Sequence, residues 1–218
     1  MVVVFLYVRG CVMCCVSWFY YNKKALTPTR KTFILCSFIR VFLLYYVHML
    51  ISTPSFDPQF TAPDFTLTDV ISGDAITKSG YVTNQPYVVA FICNHCPYVQ
   101  EIITEFASIA KNLQSKDIAV IAVMSNDYSF VAMDSPEHMR EFAQMSKFTF
   151  PYLVDEDQSV ADDFGAVCTP DFFGFAADHT MQFRGRINDL EASMTKIKES
   201  GTTEISQHPS KGCSIKWK

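Results

Sequence analysis

The first 53 residues of this chain hold no aspartate and no glutamate, against six basic residues: Arg9, Lys23, Lys24, Arg30, Lys31 and Arg40. The whole chain is also short of charge, with 18% charged residues against 49% hydrophobic ones. All 22 acidic residues therefore fall in 54–218, where only 12 basic residues accompany them. A segment so acidic offers no positive face to a phosphate backbone, which excludes nucleic acid as a partner. No internal repeat or low-complexity tract is present, so solenoids and arrays are excluded. Within 54–218 a single Cys-x-x-Cys occurs, at Cys93 and Cys96. Without a second pair there, a four-cysteine zinc site would have to recruit the separate thiols Cys168 and Cys213.

Two long apolar runs stand in the acid-free segment, at 2–21 and 33–51. Each approaches the roughly 20 residues of a spanning helix, although Arg9 and Arg40 interrupt them. Residues 22–32 between them carry four basic side chains. A basic loop prefers the cytoplasmic side, so either one span or two would leave the rest of the chain on the non-cytoplasmic side. The alternative is a cleaved leader or an organelle transit peptide, which would leave a soluble or organellar domain. The expected organisation is a leader or membrane anchor over 1–53 and a folded domain over 54–218.

Beyond a polar stretch punctuated by Pro54, Pro58 and Pro63, the pattern alternates. Residues 87–92 and 118–124 are continuous apolar runs, as in buried parallel strands. Between them, 96–115 carries Val99, Ile102, Ile103, Phe106, Ile109 and Leu113 at helical spacing. Ser135 and Pro136 open a helix to about 147, with Ser as N-cap and Pro in the first turn. A short strand at 151–154 and a helix at 158–164, closed by Gly165, follow. Residues 172–176 and 181–187 read as a hairpin, and 189–199 as the last helix. The expected fold class is α/β, a central mixed sheet flanked by helices.

Cys93-Asn94-His95-Cys96 lies where a buried strand gives way to the long helix. Unpaired N–H groups and the positive end of the helix dipole stabilise a thiolate there. On this reading Cys93 is the more exposed attacking thiol and Cys96 resolves the mixed disulfide. His95 lowers the Cys93 pKa with a second positive charge. No cofactor and no metal is expected.

Several separated segments carry a resemblance. These are Ala62-Pro63-Asp64-Phe65, Phe91 to Val99, Ser125-Asn126-Asp127, Asp134 to Glu137, Cys168 to Phe172, and the tail from Gly212 to Trp217. Together they resemble the thioredoxin-like branch of the alkyl hydroperoxide reductase/thiol-specific antioxidant (AhpC/TSA) superfamily. The resemblance implies a thioredoxin fold over about 60–218 and disulfide-exchange or peroxide-linked activity. It implies that Thr169-Pro170 is a cis-proline loop facing the cysteine pair, with Thr169 backbone groups holding the substrate. A protein or small-molecule disulfide, or a peroxide, would be reduced at the expense of an external thiol.

Peroxiredoxins carry Pro-x-x-x-Thr-x-x-Cys. Counting back from Cys96 finds Cys93 in the threonine place, and counting back from Cys93 finds Ala90. Thiol–disulfide exchange is therefore the first expectation, peroxide reduction the alternative, and a non-catalytic binding or metal-carrying module the third. Cys168 reads as a buried apolar residue and Cys213, in a polar tail, as exposed. Either is a candidate accessory thiol.

Overall fold

The structure, a computed structural model, describes residues 50–218. The expected leader or anchor lies almost wholly outside the described residues. Among the described residues no helix is long and apolar enough to cross a membrane.

Tyr-Val-Val-Ala-Phe forms strand β4 (Tyr87–Phe91), and all five side chains are buried. Such a β-branched and aromatic run suits a strand covered on both faces. It pairs in parallel with β5 (Ala119–Met124) and antiparallel with β8 (Asp171–Phe175). The sheet is completed by β2 (Thr66–Asp69), β3 (Ala75–Thr77), β6 (Tyr152–Val154) and β9 (Met181–Gly185), in the order β3-β2-β6-β5-β4-β8-β9. Val88 and Ala90 face one layer of core with residues of α2 (Pro97–Ser115), α3 (Pro136–Met145) and α5 (Ile187–Ser200). Tyr87, Val89 and Phe91 face the other, with α4 (Ser159–Phe164); the single turn α1 (Lys78–Tyr81) lies at its edge. The second layer centres on Phe164, whose ring meets those of Phe91, Phe173 and Phe65 at 5.5, 5.6 and 6.0 Å. Burial of one such ring stabilises the fold by about 1.5–3 kcal/mol.

The expected mixed sheet with helices on both faces is present, and the differences are local. Helix α5 starts at Ile187 rather than 189, with Arg186 as its N-cap. The hydroxyl of Ser135 does not cap α3 but donates to Glu137 at 2.9 Å. The hairpin of β2 and β3 was not read as strands, because three or four residues are too few to show a period of two.

A second, three-stranded sheet was also unforeseen. It runs β1 (Leu50–Ser52), β10 (Lys211–Ser214), β7 (Cys168–Thr169), antiparallel throughout. Residues 50–52, expected to close the leader, thus pair with the chain's last strand.

The tail, expected to be exposed, is docked. Ile215 and Cys213 are buried, and the N–H of Ile215 reaches the Val167 carbonyl at 3.0 Å. Lys216 donates its N–H to Asn126 Oδ1 at 2.8 Å and accepts from the Asp127 N–H at 2.7 Å. Gln158 donates to the Lys216 carbonyl at 2.8 Å. Polar residues hide this burial from the sequence because partners elsewhere in the chain satisfy them.

Gly212 admits β10 to this position. A Cβ there would overlap the Thr169 carbonyl, which is backbone and has little room to yield. Gly212→Ala should therefore cost about 1–3 kcal/mol, the range of core overpacking. Urea denaturation should show a lower midpoint with an unchanged m-value.

Candidate active site

Cys96 is the N-cap of α2, with extended backbone angles of φ −68° and ψ 120°, and Pro97 follows in the first turn. Proline suits that place because first-turn N–H groups lack helical partners. The Cys96 carbonyl closes the first turn by accepting from Val99 and Gln100, both at 3.0 Å.

Opposite lies the Thr169-Pro170 peptide, which is cis, as the resemblance implied. The Cys93 sulfur is 3.1 Å from the Thr169 hydroxyl, and the Cys96 sulfur is 3.2 Å from the Thr169 carbonyl oxygen. Cys213 is the register partner of Thr169 across β7 and β10. Directly opposed residues project to the same face of a sheet. The Cys213 side chain therefore projects to the face on which the Thr169 side chain meets the cysteine pair, beside Cys96. Three cysteines, at positions 93, 96 and 213, are thus arranged around one residue of β7, Thr169.

A buried carboxylate fixes the loop between the first two. Asp134 Oδ1 accepts the N–H groups of Asn94 at 2.8 Å and His95 at 3.2 Å. Its Oδ2 faces His95 Nδ1 at 2.6 Å and accepts from Asn126 Nδ2 at 2.8 Å. Asn94 in turn accepts from the buried Tyr152 hydroxyl at 3.1 Å. In the sequence Asp134 stands out only within the segment Asp134 to Glu137. Nothing there indicated that its carboxylate would fold back onto the cysteine loop.

The burial of the two candidate thiols differs from the sequence expectation. Cys93 and Cys96 are both at 0% exposure, so Cys93 is not the more exposed one. The Cys213 and Cys93 thiols both donate to the Cys96 sulfur, and the N–H groups of Cys213 and Val99 add to them. Against burial, these donors hold Cys96 well below the ordinary thiol range. The Thr169 carbonyl, 3.2 Å away, accepts from the protonated form. Cys93 is pushed well above its ordinary value, first by burial, then by its bond to Cys96 and by the Asp134 carboxylate. His95, expected to add positive charge beside Cys93, has its ring paired with Asp134, with a ring nitrogen within 4.8 Å of the Cys93 sulfur.

Cys213 is raised too, chiefly because it gives its hydrogen bond to Cys96. Cys168 is buried as expected, and burial, followed by the Asp171 carboxylate, pushes it up to about 12. Among the described residues no hydrogen bond joins it to the other three thiols.

The surroundings of Thr169 differ from an open strand edge. The strand edge expected to receive a substrate is already paired with β10. Open space lies instead on the other side of Pro170, in a groove of about 300 Å³ bordered by Tyr98, Phe172, Arg186 and Lys211. The phenol of Tyr98 is raised by burial and by the nearby Cys213 and Cys96, so this groove approaches the Cys96 side of the site.

The Cys93 sulfur, a His95 ring nitrogen and an Asp134 oxygen lie within 4.8 Å of one another, donor types that zinc accepts. Here the Asp134 oxygens are already met by four N–H donors.

Residues 58–186 match the AhpC/TSA family. The chain belongs to that family. Among solved structures, an uncharacterized conserved protein from Geobacillus kaustophilus is 35% identical, with 78% of this chain and 96% of that one covered and a TM-score of 0.73. A hypothetical protein from Sinorhizobium meliloti 1021 is 31% identical over 77% of this chain and 98% of that one, with a TM-score of 0.72. The thioredoxin domain of a Bacteroides vulgatus thiol-disulfide oxidoreductase shares only 14% identity, covering 66% of this chain and 99% of that one. Its TM-score of 0.56 shows the thioredoxin fold. A comparison with curated proteins finds no match. In this AhpC/TSA chain the family match ends at residue 186, so the strand that brings Cys213 to the site lies beyond it.

The thiolate of the reduced protein should therefore sit on Cys96. Ultraviolet thiolate absorbance followed against pH should show one thiolate persisting at about pH 6, below the roughly 8.5 of free cysteine. Cys93→Ser should retain it and Cys96→Ser should lose it. The opposite pattern would return the thiolate to Cys93.

Proposed function

We propose that this AhpC/TSA protein is a thiol–disulfide oxidoreductase that works through Cys96 and Cys93. The observation that carries this reading is the Cys96 sulfur at the N-terminus of α2, surrounded by hydrogen-bond donors and 3.2 Å from the Thr169 carbonyl beside Pro170. The thiolate is the form that attacks a disulfide, and a site that sets two neighbouring thiols apart in pKa separates their tasks.

Cys96 thiolate attacks one sulfur of a substrate disulfide, forming a mixed disulfide and releasing the other sulfur as a thiolate. That leaving thiolate takes the Cys93 proton. Cys93 then attacks the Cys96 sulfur, closing Cys93–Cys96 and releasing the second substrate sulfur as a thiolate, which takes its proton from solvent. The substrate gains two electrons and the protein loses two, which an external thiol restores. Asp134 and His95 position the loop and Thr169 lines the pair. The groove beside Tyr98 and Pro170 admits a disulfide on a peptide or a small molecule.

Peroxide reduction is a second reading, favoured by the family itself. Against it, Cys93 stands three residues before Cys96, where a peroxiredoxin has threonine. Reduced protein should accordingly react faster with a small disulfide than with hydrogen peroxide in stopped-flow second-order rates. Cys96→Ser should lower the disulfide rate by several orders of magnitude, as loss of a nucleophile does. Cys93→Ser should still form the adduct at Cys96, seen by mass spectrometry after acid quench. A peroxide rate above the disulfide rate would give the second reading first place. An adduct on Cys93 in Cys96→Ser at the wild-type rate would overturn the assignment of Cys96.

A further inference from the structure

Cys96 has two thiol neighbours, on elements distant in the sequence. Cys93 precedes it in the loop, and Cys213 reaches it from β10, opposite Thr169 in the β7–β10 ladder. All three belong to one buried cluster. Cys213 is 7% exposed where the other two are at 0%, and its neighbours Ser210 and Lys211 border the groove beside Pro170. The position is held firmly. β1 pairs with β10 on its far side, at Leu50 opposite Cys213. Gly212 lets the strand press against the Thr169 carbonyl, and Ile215 and Lys216 anchor the tail beyond.

We propose that Cys213 is a third redox residue, and that Cys96 alternates between a disulfide with Cys93 and one with Cys213. The step rests on the exchange chemistry proposed above and adds no oxidant to it. Starting from Cys93–Cys96, the Cys213 sulfur attacks the Cys96 sulfur. The Cys96–Cys213 bond forms as the Cys93–Cys96 bond breaks, and the proton lost by Cys213 ends on the released Cys93. The number of disulfides is unchanged, so the step is an isomerisation. It moves the disulfide from a pair of residues at 0% exposure to a pair that includes Cys213, at 7%. The external thiol then attacks the Cys213 sulfur and releases Cys96, and a second external thiol cleaves the resulting mixed disulfide, freeing Cys213 and leaving the external thiol as its disulfide.

The test uses the full chain and a small aromatic disulfide as probe, with alkylation at timed intervals and peptide mapping without reduction. In the wild type both Cys93–Cys96 and Cys96–Cys213 peptides should appear. In Cys93→Ser the probe adduct at Cys96 should form and then give way to Cys96–Cys213. In Cys93→Ser with Cys213→Ser the same adduct should live longer by about tenfold or more. Serine is close in size to cysteine, and far-ultraviolet circular dichroism would check that each variant folds. The proposal is overturned if the adduct forms at Cys96 but lives equally long in the single and double variants while Cys213 stays open to alkylation. In that case the exchange reading stands without Cys213. No adduct at Cys96 in any folded form would remove the exchange reading and this proposal together.

Discussion

The carbonyl of Thr169 is approached from two sides, by the Cys96 sulfur at 3.2 Å and by the bare backbone of Gly212. The rest of the site depends on that double contact. The cis peptide to Pro170 presents the Thr169 carbonyl and hydroxyl to the start of α2. The absence of a side chain at Gly212 lets the last strand close over the opposite edge. A strand kept even one atom farther away would leave Cys213 out of reach of Cys96. The contact therefore joins the helix N-terminus, the proline loop and the chain's tail into one unit.

Within that unit the electrostatics are arranged by donors rather than by cations. A buried thiolate loses its solvation, a cost that hydrogen bonds to the charged form offset. Here two thiols and two backbone N–H groups provide them at Cys96. The nearby carboxylate, Asp134, acts in the opposite sense on Cys93. Asp134 is itself buried, and the loop amides, the His95 ring and Asn126 surround it. A carboxylate held by four such partners can sit inside the protein and discourage charge on one thiol only. This makes the two cysteines of a four-residue motif unlike each other.

The parts come from widely separated stretches of chain. β1 begins at Leu50 and the anchoring contacts reach Lys218, whose N–H donates to Gln158 at 2.7 Å. Gln158, with φ of 66°, bridges the tail to the end of β5 by donating to the Ser125 carbonyl at 2.6 Å. The seven-stranded sheet is the platform on which these loops converge. Its β4 strand runs directly into the cysteine loop and its β5 strand into the Asn126 and Asp134 segment. Active residues thus gather at the carboxyl ends of adjacent parallel strands, where loops are freest to meet.

The residues that alternate or run apolar, such as 87–91 and 119–124, determine strands from the sequence alone because burial on both faces demands unbroken apolar character. The spacing of Val99, Ile103, Phe106, Ala110 and Leu113 determines the long helix in the same way, and Pro97 marks its start. A cysteine pair at that boundary is legible too, since the helix terminus gives it a reason to be there. What the sequence leaves open is which thiol carries the charge. That choice rests on groups brought from elsewhere in the chain, Asp134 beside Cys93 and Cys213 beside Cys96, and no local pattern records a contact across more than a hundred residues. The short strands β1, β7 and β10 were likewise invisible, because two to four residues show no periodicity and their pairing is decided only when distant edges meet. Tertiary structure alone placed Cys213 against Cys96, because a polar tail becomes buried only where other parts of the chain satisfy its hydrogen bonds.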